Sequence, residues 1–184
     1  MREKRLIRKY FLNKRKKKYF KISDAFFSPL IHLIKKIKKN KKIKIAIYIP
    51  GSFEVDVLKI LNIEYFKKFT FLLPVIGEHN SMNFYKWKKK DILFVNDQGI
   101  LEPLKSKIII PKIMLVPLLA YDNKKNRLGF GKGFYDRYLY KNFKKDIKII
   151  TVGVAFSFQK HHNLPINKND FRLDYIITEK GIIE

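Results

Sequence analysis

The run RLGFGKGFYDRYL, from Arg127 to Leu139, places three glycines, two arginines, a lysine, an aspartate and four aromatic rings in thirteen residues. Glycines at alternate positions (Gly129, Gly131 and Gly133) weaken any regular element. In return they let the backbone turn sharply, with its N–H groups open to close approach by a ligand. Arg127 and Lys132 add full positive charges, and Asp136 adds a hard oxygen of the kind Mg²⁺ prefers. Amides, cations and a carboxylate are what a nucleotide phosphate and its magnesium require. The pattern fits neither standard template. A Walker loop needs Ser or Thr after its lysine, whereas Gly133 follows Lys132, and the dinucleotide fingerprint G-x-G-x-x-G meets G-x-G-x-G here. From these residues alone, a phosphate cradle and a structural turn both stand.

Other candidates are spread along the chain. Lys4, Arg8 and Arg15 are four and seven apart, so a helix would carry them on one face; the plainer reading is a solvated basic helix. Glu54 follows a Pro-Gly step, where a carboxylate can bind a polar ligand edge or simply favour a helix N-terminus. In NKNDFRLD, Asp170 or Asp174 could join Asp136 on a metal or cap a turn. Tyr85 and Trp87 could stack on a planar ligand or pack an edge strand. His161 and His162 are adjacent and diverge, His32 and His79 are isolated, and cysteine is absent. A zinc site is therefore not expected, and a disulfide or a cysteine nucleophile is excluded. No G-x-S-x-G elbow occurs.

These groups need elements to hold them. Apolar pairs four apart (Leu6 with Tyr10, Ile7 with Phe11) predict a helix over Glu3 to Tyr19. SDAFFSPLIHLIKKIKK predicts a second helix, with Ser23 or Asp24 as N-cap and Pro29 in its first turns. KIAIYIPG, FTFLLPVI, IMLVPLLAY and IKIITVGVAF read as buried strands, and MNFYKWKKKDILF as an edge strand with a polar connection. EVDVLKILN suits a short helix, Phe134 to Phe143 a helix directly after the glycines, and LDYIITEKGIIE one last short strand. Strands alternating with helices predict an α/β fold in three layers: a mostly parallel sheet flanked by helices, with a basic N-terminal helical arm. The glycine run then lies between a strand and a helix, where such folds bind ligands.

One domain over residues 1–184 accommodates the length, and 46% hydrophobic content supplies a core. The longest apolar stretch, Ile108 to Tyr121, is interrupted by Lys112 and two prolines, so no membrane span is expected. The start of the chain lacks the pattern of a signal peptide, which leaves the cytoplasm as the expected location. Lys+Arg of 41 against Asp+Glu of 16 gives a net charge of +25. A field of that size attracts nucleic acid, yet lysine, isoleucine, asparagine and phenylalanine are abundant throughout, as compositional drift would produce. Charge alone does not decide between these.

The longer segment LVPLLAYDNKKNRLGFGKGFYDRYL resembles the signature of the 5-formyltetrahydrofolate cyclo-ligases. Other parts follow in the family's order: KRLIRK resembles its basic first helix, YIPGSFEVD its substrate loop and GILEP its central motif. VGVAFSFQ and LPINKNDFRLDYIITEKGII resemble its C-terminal part. The resemblance implies closure of 5-formyltetrahydrofolate to 5,10-methenyltetrahydrofolate with ATP and Mg²⁺, releasing ADP and phosphate. By position it assigns Lys4, Arg8 and the run Arg127, Leu128, Gly129, Phe130, Gly131, Lys132, Gly133, Phe134 and Tyr135 to ATP. It assigns Glu54, with Phe130, Gly131, Lys132, Gly133 and Phe134, to the folate, and Asp136 and Asp170 to magnesium. Lys132 and Arg127 become the electrostatic stabilisers of the reaction. The implied partner is the folate, in mono- or polyglutamylated form, rather than a membrane or nucleic acid, and the expected state is a monomer, with a homodimer as the alternative. A basic nucleic-acid-binding module and a non-catalytic nucleotide-binding relative are the competing readings. Two departures stand out: Val57 replaces a usual Thr, and Phe134 lacks the hydroxyl of a usual Tyr.

Overall fold

A computed structural model of the chain describes residues 2–37 and 43–184. A first helix, α1 (Arg2–Lys18), has Glu3 in its first turn and four basic residues, Arg15 to Lys18, in its last. Both placements oppose the helix macrodipole favourably. A single 3₁₀ turn (Asp24–Phe27) leads into α2 (Ser28–Ile37), so Pro29 sits in the first turn, where its missing N–H costs nothing. Ser23 caps the 3₁₀ turn without a side-chain hydrogen bond. The two lysines that end the predicted second helix lie outside the described residues.

The strands are β1 (Lys44–Ala46), β2 (Thr70–Ile76), β3 (Met82–Lys86), β4 (Leu93–Val95), β5 (Leu101–Pro103) and β6 (Ile113–Pro117). They continue with β7 (Ala120–Tyr121), β8 (Arg127–Leu128), β9 (Ile150–Val154), β10 (Tyr175–Thr178) and β11 (Gly181–Ile183). Seven of them form one sheet in the order β11-β10-β9-β6-β1-β2-β3. The five inner strands run parallel, while β3 and β11 pair antiparallel at the edges. The last segment is thus a hairpin rather than a single strand, with Gly181 at φ +121° completing its turn.

Alternation along the inner strands sorts their side chains to two faces. Ile45, Leu73, Leu115, Val152 and Ile177 pack with Leu30, Leu33 and Ile34 of α2. Ala46, Leu72, Met114, Val116 and Ile176 pack with Tyr138 and Leu139 of the third helix, α3 (Phe134–Phe143). Tyr85 and Trp87 are buried, and the Trp87 indole donates to the Asp91 carbonyl at 3.3 Å, so both serve edge packing rather than a ligand.

Two small antiparallel ribbons, β4–β5 and β7–β8, do not read as separate strands in the sequence. The second matters most. A small apolar cluster of Phe11, Leu119, Ala120, Leu128 and Leu164 clamps α1 onto the β7–β8 hairpin. That contact brings the basic helix to the strand from which the glycine run departs. No helix among the described residues is long and apolar enough to cross a membrane.

Candidate functional site

β1 and β6 are neighbouring parallel strands, so the loops after their carboxyl ends emerge on the same side of the sheet. The loop after β1 carries Glu54. The chain after β6 passes through the β7–β8 hairpin into the glycine run and then α3. Asp122 organises this hairpin. Its buried carboxylate accepts from the backbone N–H groups of Lys124 (2.9 Å), Asn126 (3.0 Å) and Leu164 (3.3 Å), and from the Asn126 amide at 2.9 Å. Sequence reasoning left Asp122 out of the site residues. The available signal was an aspartate followed by Asn and Lys ahead of the glycines, an Asx-turn pattern.

The glycine run, α1 and the segment before β10 enclose a cavity of about 730 Å³. Lys4, Arg8, Arg127, Leu128, Gly129, Phe130, Gly131, Lys132, Gly133, Phe134, Tyr135, Asp136 and Asp170 all line it. Every residue expected at the nucleotide and both expected metal ligands therefore converge. Arg5, Ile100, Pro117 and Asn167, which the sequence did not single out, line it as well. Leu128 lines the cavity while its buried side chain belongs to the small apolar cluster beneath.

Arg8 donates through Nε to the Gly129 carbonyl at 2.8 Å and lies against Gly131, which has φ +101°. Gly133, at φ +67°, is the N-cap of α3 and makes no side-chain cap hydrogen bond. The first N–H groups of that helix thus lack a side-chain cap at the cavity wall, an arrangement suited to anions. Arg137 holds the run from behind, donating to the Lys132 carbonyl at 2.6 Å and to the Asn80 carbonyl at 3.1 Å.

The two cations at the centre differ. Arg127 is nearly buried and committed: Nη1 donates to the Phe171 carbonyl at 2.5 Å and Nη2 to Asp136 Oδ1 at 2.6 Å. Lys132 is exposed, and its Nζ donates to the Gln98 side chain at 2.7 Å, in the turn between β4 and β5. A lysine on a flexible stem can exchange that amide for a phosphate oxygen, whereas Arg127 holds fixed geometry.

The carboxylates share one pattern. Asp136 Oδ1 accepts from Arg127 and from the Phe171 N–H at 2.9 Å. Asp170 Oδ2 accepts from Lys4 and from the Asn167 N–H at 2.7 Å. No hydrogen bond among the described residues reaches Asp136 Oδ2 or Asp170 Oδ1. Each group is oriented through one oxygen and offers the other, much as hydrogen bonds from neighbouring groups fix the direction of a metal ligand. No cluster of three or more acidic or histidine groups exists among the described residues. The donor set therefore fits an ion such as Mg²⁺ held by two carboxylates and phosphate oxygens, not an all-protein cage.

Glu54 does not line this cavity. It sits in a buried polar cluster nearby, with Oε1 3.8 Å from Arg15 Nη1 and Oε2 accepting the Gly51 N–H at 3.0 Å. Burial raises the Glu54 carboxyl above its usual range, and the Gly51 N–H and Arg15 only partly oppose this. Burial also raises the Tyr135 and Tyr48 phenols, and Glu54 adds to both effects. Ser52 and Phe53, just before Glu54, both hold positive φ (47° and 61°), strain of the kind concentrated at functional loops. Val57 is buried in the core, so it supplies no polar contact here. Asp174 caps the start of β9 through Thr151 and does not line the cavity.

A model of the 5-formyltetrahydrofolate cyclo-ligase family matches residues 1–179. The chain belongs to this family. A 5-formyltetrahydrofolate cyclo-ligase of Mycoplasma genitalium is 34% identical over 134 residues, 72% of this chain and 70% of that protein. One of Haemophilus influenzae is 30% identical over 154 residues, 80% and 81% of the two chains. The solution structure of Aquifex aeolicus 5,10-methenyltetrahydrofolate synthetase superposes with a TM-score of 0.73 at 33% identity, over 97% of this chain and 91% of that one. The activity is 5-formyltetrahydrofolate cyclo-ligation, a ligase reaction of folate one-carbon metabolism. The family's ligases are ATP-dependent.

Proposed function

We propose that the cavity under the glycine run binds Mg-ATP beside the folate and that ring closure proceeds through phosphorylation of the formyl oxygen. One observation carries the reading: Lys4, Arg8, Arg127, Lys132, the glycine amides and two half-free carboxylates surround one space. Lys4, Arg8 and the backbone from Arg127 to Tyr135 hold the phosphates, and Phe130 to Phe134 lie between nucleotide and folate. Glu54 accepts from the pterin edge. The fold is used as three layers, with α1 as the basic arm laid over the nucleotide. The enzyme works as a monomer in the cytoplasm, and the folate's glutamate tail, single or multiple, faces a basic surface.

The chemistry follows from the leaving group. A formamide oxygen departs poorly, so direct closure is slow. Transfer of the γ-phosphoryl group to that oxygen breaks the β–γ bridge, releases ADP and leaves the carbon bound to N5 and to a phosphate ester. N10 then attacks this carbon, loses its proton, and the C–O bond breaks with the electron pair leaving on phosphate. The product is the N5–CH–N10 methenyl bridge. Asp136 and Asp170 would hold Mg²⁺, which would supply positive charge against the phosphate oxygens. Lys132 follows the transferring oxygens on its mobile stem, while Arg127 keeps Asp136 in place and adds fixed positive charge. Positioning and charge neutralisation carry the rate, as in other phosphoryl transfers.

Mixing the protein with Mg-ATP and 5-formyltetrahydrofolate tests this directly. The methenyl product's near-ultraviolet absorbance must grow, with one ADP and one phosphate per turnover. No absorbance change, with steeply salt-dependent RNA binding instead, would replace this reading with a nucleic-acid-binding one.

A further inference from the structure

Arg15, in the last turn of α1, is among the most deeply buried side chains, at 1% exposure. Its contacts leave it under-satisfied. Nη1 donates to the Leu118 carbonyl at 3.2 Å, and the same nitrogen stands 3.8 Å from Glu54, beyond hydrogen-bond length. Nε and Nη2 have no hydrogen-bond partner among the described residues. A guanidinium in a dry site with unmatched donors is costly, and burial pulls its basicity down. Methionine or leucine would pack such a position more cheaply, so the charge calls for a role.

The surroundings indicate which. The Phe130 ring centroid lies 5.6 Å from the Arg15 guanidinium carbon. Phe130 is itself half-exposed, lines the main cavity, and sits between two glycines. An aromatic ring covering a cation from a loop of this kind can move aside when a ligand arrives. Beneath it stand one carboxylate, which accepts, and one guanidinium, which donates. Such a pair complements an aminopyrimidinone edge, in which two N–H donors adjoin a carbonyl oxygen.

We propose that Arg15 is a specificity-determining residue for the substrate: once Phe130 moves off, it donates to the pterin C4 carbonyl oxygen while Glu54 accepts from the neighbouring N–H groups. This rests on the folate reading of the Glu54 loop. It makes the site select a 4-oxo over a 4-amino ring, because an amino group would direct its own donors at the guanidinium.

The test compares pteroylglutamate with its 4-amino counterpart as competitive inhibitors of 5-formyltetrahydrofolate turnover, in wild type, Arg15→Met and Arg15→Lys. Wild type is expected to prefer the 4-oxo compound by at least about tenfold, the scale of one charge-assisted hydrogen bond. Arg15→Met should bring the ratio close to one while KM for ATP changes by less than about twofold. If Arg15→Met does not fold, Arg15→Lys, which loses Nε and the planar fork, must still lower the ratio. Turnover with no wild-type preference, or with a ratio unchanged in the variants, overturns the inference and leaves the enzyme reading standing. Absence of wild-type turnover overturns both.

Discussion

The guanidinium carbon of Arg8 lies 3.1 Å from the point where a Cβ on Gly131 would stand, and Gly131 holds φ +101°. The basic helix and the glycine run therefore meet at a contact where a side chain must displace the Arg8 guanidinium by a few tenths of an ångström and adopt a strained φ. Gly131→Ala must strain the backbone and push Arg8 from its bond to Gly129. The expected loss is about 1–2 kcal/mol of stability, with KM for ATP raised roughly tenfold, equivalent to about 1.4 kcal/mol of binding. Urea denaturation and ATP titration of initial rates measure the two effects. Unchanged KM would mean that the α1–loop contact does not shape the nucleotide site.

The hairpin beneath this contact depends on Asp122. Asp122→Ala removes a buried acceptor that serves three backbone N–H groups. Unmatched buried donors cost about 1–3 kcal/mol each when water cannot reach them. Loss of at least ~2 kcal/mol in denaturant unfolding is expected, with lower kcat because the β7–β8 hairpin that carries Arg127 loses the hydrogen bonds that fix its turn. Stability within experimental error of wild type would contradict the role given to Asp122.

Glu54 predicts a pH effect with a defined sign. Burial raises its folded-state value above the ordinary 4.5, so the folded chain binds the proton more tightly than the unfolded chain. This group's contribution to stability is complete below 4.5 and is lost as pH rises through the raised value. Glu54→Gln should thus flatten the fall in stability over that window and leave the neutral-pH protein at least as stable as wild type. Only the ionised carboxylate accepts from the pterin. Folate KM should therefore rise as pH falls through the same window, while ATP KM stays level. Parallel KM profiles for both substrates would remove Glu54 from the folate site.

The half-free carboxylates predict a change in magnesium demand. Asp136→Asn and Asp170→Asn should each raise the Mg²⁺ concentration for half-maximal turnover by roughly tenfold or more, the scale of a lost charged ligand. Asp136→Asn should be the worse, because it also weakens the bond that fixes Arg127. Magnesium titrations that coincide with wild type would place the ion elsewhere.

Much of this site was legible because its residues lie on short, strongly patterned segments. The helix from Phe134, the basic helix from the chain start and the buried strands all follow from periodicity and from glycine placement. The β7–β8 hairpin was not legible, since two-residue strands leave no alternation to read. Its existence depends on the Asp122 hydrogen bonds and on Phe11 packing from a remote helix. Arg15 showed the opposite problem. Its spacing from Arg8 marked a basic helical face, but the pattern could not distinguish a solvated arginine from one sealed beneath Phe130. Likewise, the separation of Glu54 from the main cavity arises from the path of the loop after β1, which composition does not encode.

Lys132 is the one cation in the glycine run that is exposed and held only by a side-chain amide. Lys132→Ala should lower kcat by about a hundredfold or more with little loss of stability, because its charge is used mainly as the γ-phosphoryl group moves. Near-normal kcat would assign that charge to Arg127 or to the helix N-terminus instead.

Departure of the formyl oxygen on phosphate can be followed by isotope. Substrate carrying ¹⁸O in the formyl group, turned over with unlabelled Mg-ATP, allows the released phosphate to be weighed by mass spectrometry. Transfer of the γ-phosphoryl group to that oxygen predicts one ¹⁸O in each inorganic phosphate formed. Unlabelled phosphate, with the isotope found in water, would rule out phosphorylation of the formyl oxygen.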